Sequence, residues 1–237
     1  MQELCKKNVK KLQKRFYPYI CGMEDKRLKV LIACEYSGAV RDQFIKLGHD
    51  AMSCDLLPTD VPGPHYEGDV FDIINDGWDL MIAFPPCTDL ATSGARWFEE
   101  KIKDGRQGKA LDFVRKLMYA PIERIAIENP IGVISTYIAK PTQIIQPYQF
   151  GDPYQKSTCL WLKNLPPLVS TNVVDKGLFK EFTTKKGVKK KQPMWYYEAL
   201  SKGADRWKIR SQTFPGIAKA MSEQWSKPGV IQKSLYL

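Results

Sequence analysis

Histidine is nearly missing from this 237-residue chain, which holds only His49 and His65. Its six cysteines (Cys5, Cys21, Cys34, Cys54, Cys87 and Cys159) include no CxxC pair. These two scarcities exclude the usual zinc arrangements, and no metal is expected. No run of about 18 apolar residues occurs, which excludes a membrane-spanning helix. The N-terminal stretch is charged but lacks the apolar core and small-residue cleavage site of a secretory signal. Free thiols in a reducing cytoplasm are therefore expected, rather than disulfides. No internal repeat is present. A composition of 43% hydrophobic and 26% charged residues also sets aside the disordered and fibrous classes. The length suits one domain, or one domain with a small appendage, and a monomer is favoured.

What is abundant is positive charge, and it is unevenly spread. The net charge is +10. Residues 1–30 carry nine Lys or Arg against three acids, and residues 176–191 carry seven Lys against one Glu. Each segment contributes +6, so the rest of the chain sums to −2. Two basic segments on a near-neutral body point to a polyanion partner, because phosphate contacts supply sequence-independent affinity. Trp195, Tyr196 and Tyr197 follow the second segment. They suit either stacking on bases or a small satellite core.

The apolar pattern alternates between strands and helices. A helix is predicted over 9–16, ended by Pro18. Leu28 to Cys34 is a continuous apolar run, as expected of a strand buried on both faces. Val40, Phe44 and Leu47 are spaced as a helix that Gly48 ends. Ala51 to Cys54, Trp78 to Phe84 and Ile122 to Ile127 read as further strands, with a helix marked by Leu111, Val114 and Met118 between the last two. Thr142 to Phe150 and Ser157 to Leu162 read as an antiparallel pair. Pro215 to Trp225 is a final helix with Ile217, Met221 and Trp225 on one face. The expected fold is α/β, a three-layer sandwich around a mostly parallel, Rossmann-like sheet. Its parts are a basic extension (1–27), a catalytic domain (28–163), a small basic insertion (164–205) and a returning C-terminal helix (206–237).

Ligands of open α/β sheets bind beyond the carboxyl ends of the strands. The residues just after each strand are therefore the site candidates. Glu35-Tyr36-Ser37-Gly38 follows the first strand. Asp55 follows the second, where an acid can hold a ribose, and Asp69 lies further on. Phe84-Pro85-Pro86-Cys87-Thr88 follows the next, with two prolines fixing the backbone before a candidate nucleophile. Glu128-Asn129-Pro130 follows the last of the parallel set. Taken singly, these could be turns, caps or a structural thiol.

In this order the residues resemble the DNA (cytosine-5) methyltransferases, particularly short phage-type members. The sharpest parts are Phe84 to Thr88 and Glu128 to Pro130, the family's Pro-Cys and Glu-Asn motifs. Arg210 to Ala218 is similar to the family's last motif, so the likeness runs over about residues 28–226. The resemblance implies an S-adenosyl-L-methionine-dependent enzyme. It implies Glu35, Tyr36, Ser37, Gly38, Asp55, Asp69, Pro85, Ser211 and Thr213 as cofactor-binding residues. Cys87 is the implied nucleophile toward carbon 6 of cytosine, and Glu128 the donor to ring nitrogen 3. Asn129 orients the loop, and Lys156 stands where the family's Arg-bearing motif is found, in Tyr154-Gln155-Lys156-Ser157-Thr158-Cys159. Double-stranded DNA is the implied partner, with the target base flipped out. Residues 88–109 suit a mobile loop carrying Ser93 and Arg96. Lys185, Lys186, Lys189, Lys190 and Lys191 would contact phosphates.

Three alternatives stand beside this. An exocyclic-amine DNA methyltransferase has a similar paired-proline turn, but with a polar residue before it and an aromatic after it. Here Phe84 precedes and Cys87 follows. The second is a catalytically inactive DNA-binding protein on the same fold. The third is action on RNA or on free nucleotides, and the two lysine-rich segments count against free nucleotides.

Overall fold

The computed structural model describes residues 27–184, 187–200, 203, 206–211 and 213–227. The helix expected over 9–16, and Lys185 and Lys186, lie outside them.

The apolar runs form the middle of a seven-stranded sheet. Its strands are β1 (Lys29–Ala33), β2 (Asp50–Asp55), β3 (His65–Glu67), β4 (Leu80–Ala83), β5 (Arg124–Pro130), β6 (Gln143–Ile145) and β7 (Thr158–Lys163). Their order is β3-β2-β1-β4-β5-β7-β6. The pairs from β3 through β5 are parallel, whereas β7 is antiparallel to both β5 and β6. The antiparallel pair read from the sequence is therefore β6 with β7.

Burial on both faces explains the unbroken apolar runs. Leu31, Ala33, Met81, Ile125 and Ile127 point to one face. There they meet α2 (Val70–Ile73) and α4 (Arg106–Met118), through Val70, Ile73, Leu111, Val114 and Leu117. Val30, Ile32, Leu80, Ile82 and Ala126 point to the other face. They pack on α1 (Ala39–Lys46) through Val40 and Phe44, and on α8 (Pro215–Trp225) through Ile217, Met221 and Trp225. The result is a helix–sheet–helix sandwich, the Rossmann-like α/β architecture. Trp225 has no exposed surface, and truncating so large a buried side chain typically costs about 3–5 kcal/mol. Its indole N–H also donates to Pro166 O at 2.9 Å, tying the last helix to the chain after β7.

The strand order reverses between the parallel neighbours β1 and β4, the switch point at which a crevice opens beyond the strand ends. The turns after β1, β2, β4 and β5 all meet there. Outside the main sheet, β8 (Phe179–Thr183) and β9 (Lys189–Pro193) form an antiparallel hairpin of mostly exposed residues. It runs into α6 (Met194–Leu200), α7 (Arg206–Ser211) precedes α8, and the short α5 (Ile134–Tyr137) follows β5.

The stretch 88–109, expected to be a mobile loop, carries short helical elements. A 3-10 segment spans Thr92–Trp97, α3 spans Phe98–Lys103, and α4 begins at Arg106. The segment shows no apolar stripe because its buried residues are few and mixed: Leu90 and Ala91 are buried and Phe98 packs on the core, beside buried polar side chains. Lys101 and Gln107 are both buried.

Candidate active site

The turn after β4 carries Cys87, which is half-buried. Its backbone is closely held. Asn129, fully buried at the end of β5, donates Nδ2 to Pro85 O at 2.8 Å. The Cys87 carbonyl accepts Leu90 N at 3.1 Å and Ala91 N at 2.9 Å. An antiparallel bridge pairs Ala91 with Gly132, so the turn after β4 is stitched to the turn after β5.

That stitching brings Cys87 and Glu128 into one electrostatic neighbourhood. Burial pushes the Cys87 thiol up, and the Glu128 carboxylate pushes it further; Lys156 and Arg210 pull it down. Burial likewise raises Glu128 above the usual carboxylate range, opposed by Lys156 and by a hydrogen bond with the Thr158 side chain. A carboxyl held nearer its protonated form can donate to a ring nitrogen, which an ordinary carboxylate cannot. Lys156 reaches the site from the segment before β7. Its Nζ donates to Arg210 O at 3.0 Å and lies 5.7 Å from the centre of the Phe214 ring.

An aromatic wall stands behind these cations. Phe214 packs 5.4 Å from Tyr154 and 5.8 Å from Trp195, centre to centre, and Trp195 meets Tyr196 at 5.8 Å. Arg210 covers Tyr196 at 4.9 Å. Trp195 also donates Nε1 to Gln155 O at 3.1 Å. Of the two uses open to the 195–197 aromatics, Trp195 and Tyr196 take the packing one, whereas Tyr197 is exposed.

Beside the Cys87 turn lies a cavity of about 240 Å³. Cys34, Cys54, Asp55, Gly68, Asp69 and Pro86 line it from the strand ends, with Asp89 and Phe113 on the far side. The walls are largely apolar and three carboxylates open into them. Asp55 Oδ1 accepts Leu57 N at 3.0 Å, and burial raises its carboxyl. Asp69 caps α2 by accepting Phe71 N at 3.0 Å. Both are thus turn or cap residues and cavity residues at once. Burial also pushes the Cys34 and Cys54 thiols up, Cys54 to about 12, so these two stay neutral.

The other residues assigned to a cofactor are not among those lining the cavity. Glu35 is buried and turned into the start of α1, where it accepts Val40 N at 2.7 Å and Arg41 N at 3.3 Å. With that burial its carboxyl is pushed up to about 7. Ser37 accepts Ala39 N at 3.3 Å, and Gly38 sits just before α1 at φ 72°. Tyr36 instead reaches across to Ser211, hydroxyl to hydroxyl at 3.4 Å. Thr213 is half-buried ahead of Phe214, and Pro85 is buried beneath Pro86, which does line the cavity. Of the residues assigned to DNA, Ser93 and Arg96 are exposed, with Arg96 stacked 5.1 Å from the Trp97 ring centre. Lys189, Lys190 and Lys191 are exposed along β9.

Sequence reasoning passed over Asp89 and Phe113, and it named Arg210 and Phe214 within the last motif without giving either a role. Asp89 had a signal, since it lies two residues past Cys87. Arg210 directly precedes the assigned Ser211. Phe113 had none, because its helical spacing is equally that of a core residue.

No family model and no curated protein matches the chain. Among solved structures it is similar to a methyltransferase of Entamoeba histolytica, at 15% identity and a TM-score of 0.43. The match covers 66% of this chain and 58% of that one, so the chain spans less than two thirds of that structure. At that score the likeness decides neither activity nor substrate. Among the described residues no helix is long and apolar enough to cross a membrane, and no group of His, Cys, Asp and Glu could hold a metal ion.

Proposed function

We propose that this protein transfers a methyl group from S-adenosyl-L-methionine to carbon 5 of cytosine in double-stranded DNA. The observation that carries the reading is the shared neighbourhood of Cys87, Glu128, Lys156 and Arg210 at the ligand edge of a Rossmann-like sheet. The cavity next to it supports the methyl donor. Apolar walls suit an adenine ring, and the acids Asp55, Asp69 and Asp89 suit a ribose diol and a positively charged amino-acid end. S-adenosyl-L-methionine, when bound there, supplies an electrophilic methyl on a sulfonium.

The residues divide the work. Carbon 5 of cytosine is too weak a nucleophile to take a methyl group unaided. Cys87 Sγ, as thiolate, adds to carbon 6 and makes carbon 5 enamine-like. Glu128 donates to ring nitrogen 3 and steadies the charge arriving there. Lys156 and Arg210 favour the thiolate. Once carbon 5 carries the methyl group, loss of its proton to a base and departure of Cys87 regenerate the ring and the free enzyme. Asn129 holds Pro85, and with it the turn from which Cys87 projects. The base must leave the duplex to reach this site. Arg96 and Lys189 to Lys191, with the 164–205 region as the recognition module, suit the phosphates flanking it.

The test is product identity. Labelled S-adenosyl-L-methionine is incubated with mixed-sequence genomic DNA, and the nucleosides are separated after digestion. The expected label is in 5-methylcytosine. Label on an exocyclic nitrogen, or none on any DNA offered, overturns the proposal.

A further inference from the structure

A buried lysine sits next to the Cys87 turn, and the mechanism above does not use it. Lys101, on α3, has a relative exposure of 6%. Lysine is almost never buried to this degree without partners, because an ammonium loses its hydration. Its Nζ donates to Thr88 O and forms an ion pair with Asp89 Oδ1 at 3.2 Å.

The neighbouring bonds show what this accomplishes. Pro85 O is taken by Asn129, Cys87 O by Leu90 and Ala91, and Asp89 O by Gln107 Nε2 at 3.2 Å. Lys101 takes the carbonyl in between. The carbonyls of residues 87, 88 and 89 thus each have a separate donor. Two of those donors come from outside the turn, from α3 and α4. The Thr88 carbonyl belongs to the Thr88–Asp89 peptide, so holding it anchors the chain one residue beyond Cys87, on the C-terminal side of the candidate nucleophile. Asp89, the other partner of Lys101, lines the donor cavity. One ammonium therefore spans the nucleophile's turn and a wall of the methyl-donor site. The 3-10 segment bearing Ser93 and Arg96 leads directly into its helix.

We propose that Lys101 is a positioning residue that sets the Cys87–Thr88–Asp89 turn for attack through its hydrogen bond to Thr88 O and its ion pair with Asp89. The inference rests on the reading of Cys87 as nucleophile, and it acts through the turn rather than by touching substrate. An angular error at Cys87 lowers turnover more than it lowers binding of either substrate.

Lys101→Met keeps the stem and removes the charge; Lys101→Arg keeps both charge and donors. Steady-state methyl transfer, thermal unfolding and the iodoacetamide reactivity of Cys87, read by peptide mass spectrometry, are measured on both. In Lys101→Met, kcat is expected to fall at least tenfold, with KM for S-adenosyl-L-methionine within threefold of wild type. Alkylation at Cys87 is expected to quicken at least threefold as the turn loosens. Lys101→Arg is expected to keep kcat within threefold of wild type. A folded Lys101→Met with unchanged kcat, or with Cys87 alkylation no faster than wild type, overturns the proposal. Should Lys101→Met not fold, Gln107→Leu removes the adjacent donor to Asp89 O, and unaltered alkylation there overturns it instead. Methyl transfer that survives Cys87→Ser would defeat the nucleophile reading separately, since alkylation reports the turn without any turnover.

Discussion

Gly132→Ala should unfold the join between the turns after β4 and β5, and its size follows from distances. A Cβ built on Gly132 would lie 2.1 Å from Leu90 O, 2.8 Å from Leu90 C and 3.1 Å from Ala91 Cα. All three are backbone atoms, so no side chain can swing aside. Ordinary carbon–oxygen contact needs about 3.4 Å, so the strands of the bridge must part by roughly 1.3 Å. Val133 N donates to Leu90 O at 2.9 Å, and Thr92 donates to Ile131 O through both N and Oγ1 at 3.0 Å. A shift of that size takes all three beyond hydrogen-bonding range. At about 0.5–1.5 kcal/mol each, the loss is roughly 3 kcal/mol. For a chain of this length that lowers Tm by about 6–12 °C. Gly108→Ala is the control. It lies within α4 with nothing inside 4 Å of its built Cβ, and should raise stability by about 0.5–1 kcal/mol. Both are read by thermal unfolding followed by circular dichroism. A Gly132→Ala protein melting within 2 °C or so of wild type would refute the clamp between the Cys87 and Glu128 turns.

Two further predictions concern cations. Arg41 is fully buried, with Nη1 on Ser53 Oγ at 3.1 Å and Nη2 on the Val61 and Pro62 carbonyls at 3.3 Å. Arg41→Met should cost roughly 3 kcal/mol in urea unfolding and weaken S-adenosyl-L-methionine, because Leu56 at the loop's start lines the cavity; a loss under about 1 kcal/mol contradicts this. The second follows from the raised Cys87 thiol. The thiolate is the reactive form, so kcat/KM should climb with pH through neutrality. Lys156→Met removes a group that lowers that pKa, and should move the profile to higher pH; a profile that stays in place or moves down would contradict it.

Much of the sheet was legible because burial on both faces writes an unbroken apolar run. β1, β2, β4 and β5 each lie within, or within a few residues of, such a run, and α8 matches Pro215 to Trp225 residue for residue. The small strand β3 was missed, since His65-Tyr66-Glu67 at the sheet edge has no apolar pattern. The hairpin was missed for a related reason. Its second strand reads Lys-Lys-Lys-Gln-Pro, and an exposed ribbon leaves no alternation to detect. In the candidate site, Cys87, Glu128 and Asp55 could be singled out because strand ends mark them. Arg41 and Lys101 could not, because a sequence displays a charge but not the carbonyls that surround it. Glu35 was read as a ligand residue, whereas its carboxylate faces the α1 amides. A strand end places a residue near the crevice, and rotamer and neighbouring amides then decide where it points.

The central claim is that Cys87 forms a covalent bond to the target base. Duplex DNA containing 5-fluorocytosine cannot lose fluorine as a cation in place of the carbon 5 proton, so an adduct formed through Cys87 is trapped. The account predicts a protein–DNA complex that survives denaturation, requires S-adenosyl-L-methionine and is missing in Cys87→Ser. Methyl transfer to that DNA with no trapped complex, or a complex that persists in Cys87→Ser, would contradict it.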